Sequence, residues 1–174
     1  MDIVLRPLHP LDSLDELTEL LHAAYGEHAA AGRQFFASYQ TSDDTRRRVA
    51  RGECWVAYHD DALVGTVTVA APYAFPDGYP ALARTATFYQ LAVLPTYQRR
   101  GLGERLLDLA ESQVRAAGLS EIAIDTSDRA TDLIEWYVRR GYRAVGRWKW
   151  SVTNYDSVVL GKHLEATDSP QLSC

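Results

Sequence analysis

The chain has 174 residues, of which 47% are hydrophobic and 24% charged, and its formal net charge is −5. A chain of this length and composition can bury one substantial core, so we expect a single globular domain. The acidic balance argues against general binding to nucleic acid or to anionic membranes. In addition, no apolar run reaches the roughly 18–20 residues that span a bilayer. From the charge and the apolar runs together, we expect neither a nucleic-acid nor a membrane partner.

Two features of the sequence favour a reducing, cytoplasmic location. The first residues run directly into a predicted strand and lack the pattern of a signal peptide. The two cysteines are Cys54, in an apolar strand, and Cys174, at the end of a polar tail, and they do not form a disulfide framework. We therefore expect a cytoplasmic protein in which Cys54 is a small core residue.

The N-terminal part is predicted to begin with a strand over residues 3–8. A helix follows, capped by either Asp12 or Ser13, with leucines at helical spacing on its inner face. Residues 25–38, which contain two glycines, are predicted to be irregular.

A second helix is predicted from Ser42 or Asp43, either of which can cap it, to a stop at Gly52. It contains the arginine run 46–48. Because successive helical residues point in different directions, this run is interpreted as a solvated face and not as a binding site.

Residues 54–58 and 63–69 read as the two strands of a hairpin, joined by the turn-like His59-Asp60-Asp61. The proline-rich residues 72–80 form a surface loop. Its aromatic side chains either line a binding pocket or cover the edge of the sheet, and both readings stay open for Tyr73, Phe75 and Tyr79.

Residues 88–107 combine an apolar strand, a glycine-bearing turn and the start of an amphipathic helix. The first turn of a helix leaves backbone N–H groups unpaired, and its dipole favours an anion. Gly101 and Gly103 let a phosphate approach the backbone closely, and Arg99 and Arg100 add positive charge. The sequence therefore predicts a phosphate or pyrophosphate site at this helix start.

The remaining elements follow in order. A strand over residues 121–126 implies a right-handed parallel crossover from the strand before the glycine turn. Asp128 is the predicted cap of a helix over residues 131–140. Two closing strands over residues 142–150 and 152–160 complete the fold, with Asn154 and Tyr155 inside the second.

Two common phosphate-binding signatures are absent from the glycine turn. The Walker signature requires a lysine after its last glycine, whereas Glu104 follows Gly103 here. The dinucleotide fingerprint requires Gly-x-Gly-x-x-Gly in a first βαβ unit. A nucleotide-phosphate protein that uses this turn in another way remains an alternative.

The spacing Gln98-x-x-Gly101-x-Gly103, directly after a strand that ends at Pro95, resembles the acetyl-CoA signature of the GNAT N-acetyltransferases. A second segment, residues 133–142, is similar to the closing helix and Gly-aromatic turn of that superfamily. The two motifs lie in the family's order, with a strand between them.

This resemblance, firm over about residues 64–159, implies an α/β (α+β) fold. A central mixed sheet of about six or seven strands is flanked by about four helices in a single domain. We assign the domain to residues 1–164 and expect the polar tail, residues 165–174, to be disordered.

The resemblance also implies acetyl-CoA as co-substrate. The strand 91–93 is the one whose backbone pairs with the pantetheine arm in the family, and an N–H near Ala92 or Val93 polarises the acetyl carbonyl. The implied cofactor-binding residues are Leu91, Ala92, Val93, Gln98, Arg99, Arg100, Gly101, Gly103 and Glu104.

Two side chains are the candidates for acid–base catalysis. Tyr137 matches the family's tyrosine that protonates the departing sulfur; the alternative is that its ring packs in the core beside Trp136. The family's central-strand glutamate is missing. Some relatives place a carboxylate twelve residues before the tyrosine, and Asp125 has this spacing from Tyr137, so the resemblance makes Asp125 the first candidate for the base. The alternatives are a loop-capping or arginine-paired carboxylate for Asp125 and a water chain as the base.

No histidine, cysteine or carboxylate pattern indicates a metal site or a nucleophilic triad, so direct transfer in a ternary complex is expected. The resemblance implies that the acceptor is a primary amine, on a small molecule or a protein N-terminus, and family habit suggests a homodimer. A non-catalytic acyl-CoA-binding sensor is the rival from another class. The expected acceptor region contains Tyr25, Arg33, Phe35, Tyr39, Trp148, Trp150 and Tyr155.

Overall fold

The computed structural model describes residues 2–165, which form seven strands and four α-helices. Helices and strands alternate irregularly along the chain, as expected for an α+β fold. The elements are β1 (Ile3–Pro7), α1 (Leu14–Ala30), α2 (Ser42–Val49), β2 (Glu53–His59), β3 (Ala62–Ala70), β4 (Thr87–Val93), α3 (Leu102–Ala116), β5 (Glu121–Ser127), α4 (Thr131–Arg139), β6 (Arg143–Trp148) and β7 (Ser157–His163). The predicted mixed α/β architecture and the β2–β3 hairpin are confirmed.

The strands form two antiparallel sheets, ordered β1-β2-β3-β4 and β5-β7-β6. They meet at one parallel bridge between Ala86 and Ile122. There the Ala86 N–H donates to the Glu121 carbonyl (2.8 Å) and the Ala123 N–H donates to the Ala86 carbonyl (2.9 Å). Beyond this bridge β4 and β5 separate, so the edge of β4 is open to a ligand.

A bulge in β4 lies next to this gap. The pairing with β3 changes from Thr66 opposite Ala92 to Thr68 opposite Tyr89, so β4 carries one extra residue. Gln90 within the bulge has φ of 57°. A bulge bends a strand and increases its local twist, and bulges are common next to active sites.

The main core lies between α3 and the first sheet. The inward face of α3 is almost fully buried, at Leu102, Leu106, Leu107, Ala110 and Val114. A Cβ added to Gly65 on β3 would lie 3.1 Å from Leu106 Cδ1, so a glycine lets α3 pack closely on the sheet. The position of α3, and therefore of its N-terminus, is fixed by this packing.

Four local predictions need correction, two in the N-terminal part of the chain and two in the C-terminal part. Helix α1 continues to Ala30 through the segment that was predicted to be irregular from Tyr25, because the burial of α1 against β4 outweighs the low helix propensity of Gly26. Thr41 caps α2, in a capping box with Asp44, and neither Ser42 nor Asp43 does so. The cap of α1 needs no correction: of the two predicted candidates, Asp12 and Ser13, the structure shows Ser13 in this role.

In the C-terminal part, Ala130 occupies the N-cap of α4, and Asp128 accepts a hydrogen bond from Arg147 (2.6 Å). Asn154 and Tyr155 lie in the connection between β6 and β7, because β7 begins only at Ser157. The predicted disordered tail lies, apart from its first residue, outside the described residues.

None of the helices within residues 2–165 has the length and apolar character needed to cross a membrane.

Candidate active site

The glycine turn presents the N-terminus of α3 to the gap between the sheets. Gly101 occupies the N-cap with φ of 81°, a left-handed conformation that favours glycine. Because glycine has no side chain, no side-chain hydrogen bond caps the helix at this position. The first helical hydrogen bond is donated by the Arg105 N–H to the Gly101 carbonyl (3.0 Å), so the N–H groups of residues 102–104 remain for a ligand.

The charges around this turn favour an anion. Arg99 and Arg100 are exposed, and neither forms an ion pair with any residue of the described chain. Gln98 carries no charge and has a structural role. Its Nε2 donates to the Val93 carbonyl (3.1 Å) and connects the turn to the end of β4.

A first cavity of about 480 Å³ runs from this turn along β4 to α4. It brings together five of the predicted cofactor residues and the predicted acid. They are Leu91, Ala92, Val93, Gln98, Arg99 and Tyr137. Gly101, Gly103, Glu104 and Arg100 are not part of the cavity wall but belong to the turn and helix start at its end.

A second cavity of about 350 Å³ lies between α2, β4, β5 and the loop before β7. Four side chains line both cavities: Tyr25, Leu91, Leu133 and Tyr137. Two ligands, one in each cavity, would therefore meet at this shared wall.

Tyr137 is 6% exposed and packs against Trp136 and Tyr142, with ring centroids 4.9 and 5.5 Å away. Its hydroxyl has no hydrogen-bond partner within residues 2–165. Burial raises the pKa of Tyr137 well above its usual value. The phenol therefore stays protonated at neutral pH and is free to donate to a ligand.

Tyr25 is a second tyrosine of the shared wall. Its hydroxyl donates to the Leu91 carbonyl (2.9 Å), which joins α1 to the bulged part of β4. Burial raises the pKa of Tyr25 to about 12. Tyr25 therefore acts here as a donor that fixes the β4 backbone.

Asp125 projects from β5 into the wall of the second cavity. Both of its carboxylate oxygens accept hydrogen bonds, one from the Tyr79 hydroxyl (2.9 Å) and the other from Trp150 Nε1 (2.8 Å). Within the described residues, the hydrogen-bond partners of Asp125 are therefore two aromatic side chains and not an arginine. Because a carboxylate has about four acceptor positions, it can still accept from a ligand.

The aromatic loop adopts both arrangements that the sequence left open. Tyr73 and Phe75 line the second cavity. Tyr79 is buried, stacks on Phe75 (4.5 Å between centroids) and packs against Trp148. Of the other expected acceptor residues, Tyr25, Phe35, Trp150 and Tyr155 line the second cavity, Arg33 lines the first, and Tyr39 and Trp148 line neither.

Two residues of the second cavity were missed by the sequence analysis. Arg48 was included in the solvated arginine run, yet its guanidinium turns inward, while Arg46 and Arg47 are exposed and pair with Asp43 and Asp44. The available signal was helical phase, since residue 48 follows buried Thr45 by three positions.

Gln90 lies on β4, the strand on which the family's glutamate is missing, and the sequence assigns it no role. It is 4% exposed and lines the second cavity. Its conformation depends on the bulge in β4, which no local sequence signal predicts.

The Acetyltransferase (GNAT) family model matches residues 14–142, which is most of the chain. The chain belongs to the GNAT acetyltransferase family. It is an N-acetyltransferase, and the general reaction of this family is acetyl-CoA-dependent transfer of an acetyl group to an amine.

Individual relatives agree with this assignment. An S-(2-succino)cysteine N-acetyltransferase from Bacillus subtilis is 27% identical over 124 residues, which cover 68% of this chain and 72% of that protein. A GNAT acetyltransferase from Elizabethkingia anophelis with acetyl-CoA bound superposes with a TM-score of 0.68 at 16% identity, covering 93% of this chain and 98% of the other. The ribosomal-protein-S18-alanine N-acetyltransferase of Escherichia coli has a TM-score of 0.69 at 14% identity, covering 99% of this chain and all of the other. Both structures show that this GNAT chain has the GNAT fold.

Within the described part of the chain, no group of three or more histidine, cysteine, aspartate or glutamate side chains is arranged to hold a metal ion.

Proposed function

We propose that this protein transfers an acetyl group directly from acetyl-CoA, bound in the first cavity, to a primary amine bound in the second. The observation that carries the proposal is the shared wall of Tyr25, Leu91, Leu133 and Tyr137. Because each cavity reaches the same side chains, a thioester on one side and an amine on the other can come into contact without a covalent acetyl-enzyme.

The cofactor assignment rests on the turn and on the open edge of β4. The N-terminus of α3, with Arg99 and Arg100 beside it, suits the pyrophosphate. The Leu94 N–H bonds to the Val64 carbonyl on β3 (2.9 Å), so by strand alternation the backbone of Val93 points away from β3. Its N–H is a suitable partner for the pantetheine arm, while its carbonyl is held by Gln98.

Tyr137 is the proposed general acid. Acetyl-CoA supplies a thioester, whose C–S bond breaks as the amine nitrogen bonds to the carbonyl carbon. A thiolate leaving group then needs a proton. Tyr137 lies at the wall that both cavities share, and its protonated hydroxyl has no hydrogen-bond partner within residues 2–165, which supports its donating that proton.

Asp125 is proposed to bind the ammonium group of the acceptor and to take its proton, directly or through water. Its position in the second cavity and its remaining acceptor capacity support this role. Tyr79 and Trp150 hold the carboxylate in place, so it is positioned before the acceptor arrives.

The acceptor is proposed to be a small molecule or the end of a peptide. The Bacillus subtilis relative is named for an amino-acid derivative and the Escherichia coli structure for an alanine of a ribosomal protein. Both names describe transfer to nitrogen. A cavity of about 350 Å³ suits an acceptor of amino-acid size.

Steady-state kinetics test the proposal. Release of the free thiol of CoA is followed while acetyl-CoA and a series of primary amines are varied. Direct transfer predicts intersecting double-reciprocal lines. Parallel lines, the mark of an acetyl-enzyme, would contradict it. A non-catalytic sensor would bind acetyl-CoA and release no thiol with any amine.

A further inference from the structure

Arg48 is a cation in the second cavity that has no acidic partner among the described residues. Its guanidinium lies over the rings of Phe36 and Tyr89, with Cζ 5.3 and 5.2 Å from their centroids. Nη1 donates to Gln40 Oε1 (2.6 Å), which is the one hydrogen bond its side chain makes within residues 2–165. A guanidinium carries several further N–H donors in a rigid fork, and no residue among 2–165 accepts from these.

A buried hydrogen-bond network supports Arg48. Gln40 is fully buried, and its Nε2 donates to Thr45 Oγ1 (2.7 Å). Thr45 Oγ1 in turn lies 2.6 Å from Thr18 Oγ1 on α1. The Tyr89 hydroxyl donates to the backbone carbonyl of Arg48 (2.7 Å). This network holds the guanidinium at the cavity wall before any ligand binds.

The surroundings of Arg48 favour an anionic ligand. Partial burial removes water from the guanidinium and lowers the pKa of Arg48, and no carboxylate within the described residues compensates. Desolvating an unpaired charge is costly, and the two flanking rings offset only part of this cost. The exposed Arg51 lines the same cavity and adds a second positive charge.

Gln90 provides an independent observation. It is 4% exposed and lines the same cavity, and its Oε1 accepts a hydrogen bond from Thr68 (3.2 Å). Its Nε2 has no hydrogen-bond partner within the described residues. A buried donor without an acceptor is rare in folded proteins. An oxygen of a ligand in the second cavity would satisfy it.

We infer that the acceptor amine also carries a carboxylate, which Arg48 binds from α2 and Gln90 binds from β4. The inference rests on the proposed function and specifies its substrate class. Asp125 lines the same cavity from β5 and suits the ammonium group. A cavity with opposite charges from two elements, which Tyr73, Phe75 and Trp150 also line, fits a free amino acid or a small amino-acid derivative. The chain's net charge of −5 does not oppose this, because the local field within a cleft decides binding there.

Paired acceptors test the inference. Each standard protein amino acid is compared with its carboxamide, which keeps the amine and side chain and removes the negative charge. The wild-type enzyme should have a kcat/KM at least about tenfold higher for the acid in one or more pairs, since hydrogen bonds to a charged group are the stronger ones. Equal values in every pair, or no turnover of any free acid, would overturn the inference.

Variants assign the effect to the two residues. Arg48→Gln should remove the preference for the acid, and Arg48→Lys should retain part of it. Arg47→Gln is the matched control, because this substitution removes the same positive charge from an exposed position on α2. If Arg48→Gln fails to fold, Gln90→Glu decides, because it adds a negative charge with little change in size. It should lower kcat/KM for the acid more than for the amide. An acid preference that survives in both variants would contradict the assignment.

The outcome is separable from the proposed function. Turnover of carboxyl-free amines such as 2-phenylethylamine, together with stabilisation by acetyl-CoA, would uphold acetyl transfer even if the acids had no advantage. Absence of both would remove the proposed function itself.

Discussion

Gly101 and Gly118 bracket α3 and share the same backbone geometry. Their φ angles are 81° and 75°, and a Cβ built on either would have no atom within 4 Å from the described residues, apart from its neighbours in the chain. Either residue is required for its conformation and not for close packing. Only Gly101 lies at the N-terminus of α3, which is the end proposed to bind the pyrophosphate, whereas Gly118 follows the C-terminus.

This pair gives a matched test of the anion site. Gly101→Ala and Gly118→Ala should each destabilise the fold by about 1–2 kcal/mol, the cost of a left-handed conformation for alanine. Only Gly101→Ala should also weaken acetyl-CoA, because it disturbs the turn that exposes the first N–H groups of α3. Calorimetric titration of both variants with acetyl-CoA measures the difference. Equal dissociation constants would show that the turn does not contact the cofactor.

Tyr137→Phe removes the proposed acid and keeps the ring. We expect kcat to fall by about 100-fold to 10,000-fold, the usual contribution of a positioned acid or base. Acetyl-CoA should still bind. Tyr142→Phe is the control: Tyr142 belongs to the same aromatic cluster, but its hydroxyl donates to Glu111 (3.1 Å) and it lines neither of the two cavities. It should lower stability and leave kcat nearly unchanged. A fully active Tyr137→Phe enzyme would exclude the assigned role.

The pH dependence of kcat follows from the raised pKa of Tyr137. The group acts in its protonated form, which is present below its pKa and is lost only as the pH rises through that value. Because burial raises this pKa above the usual value of about 10, Tyr137 should produce no alkaline loss of kcat below about pH 10. A basic limb with a lower apparent pKa that disappears in Tyr137→Phe would contradict this account.

Asp125→Asn tests the carboxylate of the second cavity. An amide cannot accept from both Tyr79 and Trp150, so one donor loses its partner, at a cost of about 1–3 kcal/mol in stability. We also expect kcat/KM for the amine to fall by about tenfold or more, because the ammonium loses its counter-charge.

Tyr79→Phe separates these two effects. It removes one hydrogen bond to Asp125 and keeps the carboxylate, so the loss of kcat/KM should be much smaller than in Asp125→Asn. Chemical denaturation of both variants reports the structural part. If the two variants lost kcat/KM equally, Asp125 would have only a structural role.

The sequence predicts the parts of this fold that depend on local patterns. The strand, turn and helix of residues 88–116 are evident because apolar spacing and Gly101 specify them locally. The hairpin of β2 and β3 is evident for the same reason. The meeting of this unit with residues 133–142 was expected only from the family resemblance, since no local signal reports that two distant segments touch.

The second cavity was harder to predict because its residues depend on tertiary packing. Arg48 differs from Arg46 and Arg47 only in helical phase, so its inward direction depends on where α2 lies against β4. Gln90 enters the cavity through a bulge that the apolar pattern of β4 does not reveal. The end of α1 at Ala30 similarly reflects packing against β4, which outweighs the local effect of Gly26.

Thermal melting with and without acetyl-CoA, CoA and ATP tests the central claim most directly, namely that acetyl-CoA binds at the Gln98–Gly103 turn. Acetyl-CoA at about 100 times its dissociation constant should stabilise the protein by about 2.7 kcal/mol. For a domain of this size the melting temperature should rise by about 5–10 °C, with a smaller rise in Gly101→Ala. No shift with millimolar acetyl-CoA, or a shift with ATP alone, would contradict the account, because every later step requires that cofactor in the first cavity.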